Sequence, residues 1–144
     1  MSDREAQESS SSSALRLRLE NASAGLRFVS EMDHPFSWVS AADTAVDRPG
    51  PLERVRAAFG AEAHSHGEER SLDRFFAGHI EEADPADPAA QANVTRFERL
   101  KAVLREVLSD PRVYCFGGAE KRCLLVGGTP DGRIAGLETR IAET

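Results

Sequence analysis

The chain has 144 residues, 40% of them hydrophobic and 29% charged, and its 24 acidic against 18 basic side chains leave a formal charge of −6. That length suits one domain with one core; no apolar run approaches the roughly 20 residues that span a bilayer, and an acidic field repels phosphate backbones, so membrane spanning is excluded and direct nucleic-acid binding disfavoured. Two cysteines outside any Cys-x-x-Cys pair exclude a disulfide scaffold and a zinc ribbon, and fit a reducing cytoplasm, the compartment expected.

Met1 to Ser13 is polar, ends in the serine run Ser9 to Ser13, and has no apolar segment behind a basic start. It is no signal peptide and reads as a disordered arm, because serine-rich sequence buries too little apolar surface to offset its ordering entropy. One domain is expected to follow over residues 14–144. From Ala14, the residues Leu15, Leu19 and Ala22 recur at helical spacing. The alternation Leu15, Leu17, Leu19 also fits a strand, but Asn21, Ser23 and Gly25 favour a helix that stops. Leu26, Phe28 and Val29, then Phe36 to Val39, predict two short strands joined by the acidic loop Ser30-Glu31-Met32-Asp33-His34-Pro35.

Beyond Pro49-Gly50-Pro51, the spacing of Leu52, Val55 and Phe59 predicts a short helix closed by Gly60. Ala61 to Arg70 is polar and holds His64 and His66, whose stretch His64-Ser65-His66 reads as a loop. Ser71 is placed to cap a turn that buries Leu72, Phe75 and Phe76, and Gly78 to Ala90, with Pro85 and Pro88, reads as a surface loop. From Glu62 to Asp87 eight acids stand against Arg70 and Arg74, an excess equal to that of the whole chain.

Asn93 to Leu108 predicts an amphipathic helix with Val94, Phe97, Leu100, Leu104 and Leu108 on its apolar face, ended by Asp110-Pro111. Val113 to Phe116 and Cys123 to Val126 read as strands covered on both faces. Pairing Phe116 with Arg122 sets Cys115 opposite Cys123, where two buried thiols are expected rather than a bond. Thr129-Pro130-Asp131-Gly132 reads as a type I turn. The last segment alternates, with Leu137, Thr139 and Ile141 on one face and Glu138, Arg140 and Ala142 on the other, up to Thr144.

No nucleophile elbow, P-loop or dinucleotide fingerprint occurs, so neither a catalytic constellation nor a cofactor is expected. His64-Ser65-His66 lacks a third zinc ligand, which leaves a small metal-dependent hydrolase as the weakest reading. A strand pattern reaching Thr144 has two readings: the chain simply ends there, or it presents an α-carboxylate beside a hydroxyl, hard oxygens of the type Mg²⁺ accepts. On composition alone Glu31 and Asp33 are solvated loop acids.

The stretch Leu26 to Phe36, with Ser30-Glu31 and Pro35-Phe36, the pair Phe75-Phe76, Val113-Tyr114, and the ending Val126 to Thr144, with Thr129-Pro130-Asp131-Gly132, Ala135-Gly136 and Glu143-Thr144, resemble the nuclease A inhibitor family. The likeness runs in order from about Ala14 to Thr144 and is poor between about Ser40 and Ser71. It implies an α+β fold, a three-layer α/β/α sandwich around a mainly antiparallel sheet, similar to the pathogenesis-related-protein fold. It also implies a cytoplasmic bacterial protein, a monomer when free, that blocks a sugar-non-specific DNA/RNA endonuclease without being an enzyme. By the resemblance Glu31 meets an active-site arginine of the nuclease, Asp33, Glu138 and Glu143 lie in the contact, and the carboxylate and hydroxyl of Thr144 take a water position on the nuclease's Mg²⁺. One departure stands out: family members can carry an aromatic residue after the paired phenylalanines, and His79 to Ala90 has none. An interaction domain of the same fold with a different partner is the alternative.

Overall fold

The computed structural model describes residues 3–24, 27–28, 34–42, 51–60, 66–81 and 84–142. Helix α1 spans Asp3–Ser23. It begins inside the stretch read as a disordered arm, so the serine run is helical backbone. Serine is only modestly poorer than alanine in a helix, and extending one already anchored by packed residues needs no new nucleus. The anchors are Leu15 and Leu19, both buried, and Ser23, whose hydroxyl donates to Leu19 O at 2.8 Å.

Strands β1 (Arg27–Phe28) and β2 (His34–Pro35) pair antiparallel, Phe28 opposite His34, and β3 (Ser37–Ala42) follows at once. The two-strand expectation thus becomes a small ribbon plus a third strand. Helix α2 (Pro51–Ala58) opens on proline and gives way to Gly60 at φ 69°, the left-handed stop that glycine adopts without a Cβ clash.

Polar Gly67–Arg70, for which the sequence predicts no element, is strand β4. It pairs with a neighbour whose outer edge would otherwise go unpaired, a case in which cross-strand context overrides propensity. Helix α3 (Leu72–Glu81) continues past the expected turn, with the Ser71 hydroxyl accepting from Arg74 N at 3.1 Å. Helix α4 (Pro88–Val107) begins ahead of Asn93, because Asp87 caps it through Ala89 N at 3.0 Å and Pro88 fits the first turn. The stretch read as a loop from Gly78 to Ala90 is therefore largely two helix ends around a turn in which Asp87 N donates to Asp84 O at 3.1 Å.

Strands β5 (Ser109–Gly117), β6 (Glu120–Gly128) and β7 (Arg133–Ala142) complete an entirely antiparallel sheet in the order β3-β7-β6-β5-β4. β5 starts before Val113 because an irregularity between Ser109 and Arg112, with Asp110 at φ 46°, carries the pairing past the proline. Phe116 stands opposite Arg122, and Cys115 opposite Cys123, as the spacing predicts. The turn after β6 closes through Gly132 N to Thr129 O at 3.1 Å. Alternate sheet residues feed two apolar clusters. Val113, Cys115, Cys123, Leu125, Leu137 and Ile141 join α1, α3 and α4, whereas Tyr114, Phe116, Leu124, Val126 and Ile134 join Val55 of α2. No described helix is long and apolar enough to cross a membrane.

Candidate protein-interaction site

Of the five residues singled out in the sequence, Glu31, Asp33, Glu143 and Thr144 lie outside the described residues; Glu138 lies within them, on β7. The described strands before and after those residues are placed by their pairing. β3 pairs with β7 from Ala42 opposite Arg133 to Ser37 opposite Glu138 and no further. Pro35 stands two positions before Ser37, where that pairing ends, and both strands of the ribbon lie against β7. On the other side of that same stretch, β6 supplies Glu120 opposite Ala142 and Lys121 opposite Ile141. The strands flanking 29–33 and the strand leading to 143–144 therefore share one edge of the fold.

The ribbon is held from beneath. Phe36, half-buried, packs on the helix-side cluster, its ring 6.3 Å from that of Phe76, which lies 5.1 Å from Phe75 and 5.4 Å from Phe97. Two separated parts of the resemblance, Pro35-Phe36 and Phe75-Phe76, thus meet in one aromatic contact between the residue that follows β2 and α3.

Glu138 accepts from Arg122 Nε, and Arg122 Nη1 donates to Phe59 O at 2.7 Å, so this carboxylate ties β7 through β6 to the turn after α2. Sequence reasoning did not foresee that pair; the β6–β7 register, Arg122 opposite Arg140 and Leu124 opposite Glu138, is what brings it together. Arg140 Nη1 faces Glu120 Oε1 at 3.4 Å beside it. Of the acids from Glu62 to Asp87, three described ones have cationic partners. Asp73 meets Lys101 Nζ at 3.0 Å and Arg105 Nη2 at 2.9 Å, Glu69 meets Arg112 Nε at 3.6 Å, and Glu68 pairs with Arg70. Hydrogen bonds from Lys101 and then Arg105 hold the Asp73 carboxyl below its ordinary 3.8.

A groove of about 190 Å³ lined by Arg54, Asp110, Tyr114, Val126 and Ile134 lies at the opposite end of the sheet, where Ser109, Gly128 and Ile134 align. His66 precedes β4, and His64 is outside the described residues; among the described residues no group of three or more His, Cys, Asp or Glu side chains could hold a metal ion.

The described residues thus form a mixed helix-and-sheet protein with a five-strand antiparallel sheet, and the β1–β2 ribbon lies against its strand β7. The family model described as "NuiA: Nuclease A inhibitor-like protein" matches residues 13–144, and the chain belongs to that family. No curated protein matches it.

Proposed function

We propose that the chain is a stoichiometric inhibitor of a magnesium-dependent, non-specific DNA/RNA endonuclease. A nuclease cleft built for a polyanion carries cationic side chains and a metal with exchangeable waters, so a protein carboxylate can stand in for phosphate. Glu31 takes an active-site arginine of the nuclease in a charge-assisted pair, Asp33 and Glu143 border it, and the carboxylate and hydroxyl of Thr144 replace water on the nuclease's Mg²⁺. Glu138 contributes at the margin of that surface, where its pair with Arg122 stiffens β7. These are binding contacts, not steps of a reaction, and the inhibitor itself carries no cofactor.

The observation that supports this reading, beside the family match, is the ribbon lying against β7: the strands on either side of residues 29–33 adjoin the strand that precedes residues 143–144. The finer architecture belongs to the same reading: one cytoplasmic, monomeric domain over 14–144, a three-layer α/β/α sandwich of pathogenesis-related-protein outline. Apolar clusters on the two faces of the sheet support it. A stable complex of this kind buries about 1,200–2,000 Å² in total.

The test mixes the purified protein with a magnesium-dependent non-specific nuclease from the same organism and follows plasmid degradation. Cleavage should stop near one inhibitor per enzyme, and undiminished cleavage at large molar excess refutes the proposal. A second reading, an interaction domain with another partner, draws on the lack of an aromatic side chain from His79 to Ala90. It requires no effect on any such nuclease and a specific co-purifying protein.

A further inference from the structure

We infer that Cys115 and Cys123 form a redox pair that closes into an intramolecular disulfide in the native fold under peroxide and reopens under thiol reductants. The two are direct register partners on β5 and β6, both fully buried, and their sulfurs are 2.7 Å apart. Direct antiparallel partners hold their Cα atoms about 4.5 or 5.5 Å apart depending on the hydrogen-bonding site, and both spacings fall within the roughly 4.4–6.8 Å that a disulfide spans. No strand has to slide for the bond to form. β5 and β6 are also interior strands, each paired on both sides, so the register that aligns the sulfurs is fixed.

The surroundings favour closure over other oxidation products. The chain has only these two cysteines, so no third thiol competes. Burial in the cluster with Leu125, Leu137 and Ile141 keeps out bulky disulfides such as oxidised glutathione, whereas hydrogen peroxide is close to water in size. The short edge strand β4 beside Cys115 and the turn between Gly117 and Glu120 are the parts of this region with the fewest pairing partners, where brief openings admit it. One thiolate attacks peroxide, the O–O bond breaks, and a sulfenic acid and hydroxide form. The second sulfur then displaces the sulfenic oxygen, which leaves as water. In sum two thiols and one hydrogen peroxide give one disulfide and two waters, with two electrons passing from sulfur to peroxide. A partner sulfur already in contact captures the sulfenic acid before a second peroxide can reach it.

The experiment treats the full-length folded protein with a small excess of hydrogen peroxide, alkylates any remaining thiol, and maps tryptic peptides. Cleavage after Arg112, Lys121, Arg122 and Arg133 separates the two cysteines, so the bond is read as a linked pair of peptides. The expected result is that pair, about 2 Da lighter than the two peptides together, loss of both alkylation sites, and full recovery of both on dithiothreitol treatment. In Cys115→Ala the peptide holding Cys123 should instead gain oxygen. Sulfinic or sulfonic products at either cysteine of the unaltered protein, a disulfide between two chains, or two intact thiols in the folded protein under peroxide that oxidises the urea-unfolded chain would each overturn the inference.

Discussion

Gly136 stands in the middle of β7, between Val39 of β3 and Val126 of β6, where a Cβ would lie 2.0 Å from Leu125 O. No side-chain rotation relieves a clash with backbone, so Gly136→Ala should lower stability by about 2–4 kcal/mol. Urea unfolding followed through the single tryptophan, Trp38, measures it. The Ala135-Gly136 element of the family likeness is thereby a packing requirement of the last strand. Tyr114 gives a second prediction of this size. Burial first, and the nearby Glu69 charge second, push its phenol from 10.0 up to about 12. The folded state holds this proton more tightly than the unfolded one, so the stability involved is fully present below pH 10 and is lost as pH rises through about 12. Tyr114 is the only tyrosine, so tyrosinate absorbance should rise with a midpoint near 12 in the folded protein and near 10 in urea. The stability difference between the protein and Tyr114→Phe should stay constant up to pH 10 and change only above it.

Elements with their own periodicity were legible: α4 through Phe97, Leu100 and Leu104, β7 through Leu137, Thr139 and Ile141, and the β5–β6 register through Cys115 opposite Cys123. Those that depend on a neighbour were not. β4 is four polar residues that become a strand only because β5 offers an edge, and α1 extends through serines whose composition suits a coil. The starts of α3 and α4 fall between: Ser71 reads as a cap, whereas Asp87-Pro88 reads as loop punctuation although it caps and opens a helix. Ser71→Ala should cost about 1 kcal/mol and leave nuclease inhibition unchanged, since the cap lies outside the ribbon and β7. Phe36→Ala should behave otherwise. It removes the ring that joins β2 to Phe76, costs about 1–3 kcal/mol because Phe36 is only half-buried, and weakens inhibition at least about tenfold at a temperature where the variant is folded. Equal inhibition by the two variants would separate the ribbon from the binding surface.

At the scale of the whole molecule the acidic balance is a poor guide to where a cationic partner docks. Two of the acids between Glu62 and Asp87 are met by cations of α4 and β5, Asp73 by Lys101 and Arg105 and Glu69 by Arg112. What could be read about the site came instead from motif likeness at the two ends of the chain, and the fold supplies a reason for both ends to matter: β2 and β7 lie together although far apart in sequence. If Glu31 and Thr144 engage different parts of one cleft, a guanidinium and a metal, their contributions should be separable. Glu31→Ala removes a charge partner and leaves a cation of the nuclease buried and unpaired; two or three residues appended after Thr144 move the α-carboxylate off the metal. Each change should weaken inhibition by about 10- to 1,000-fold, that is about 1.4–4 kcal/mol, with the melting temperature within about 1 °C of the unaltered protein. Combined, the two losses should multiply, because two contacts that share no partner add in free energy. A combined loss no larger than the greater single one would mean that both segments serve one contact, and full potency in both single variants would remove them from the site while leaving the family membership intact.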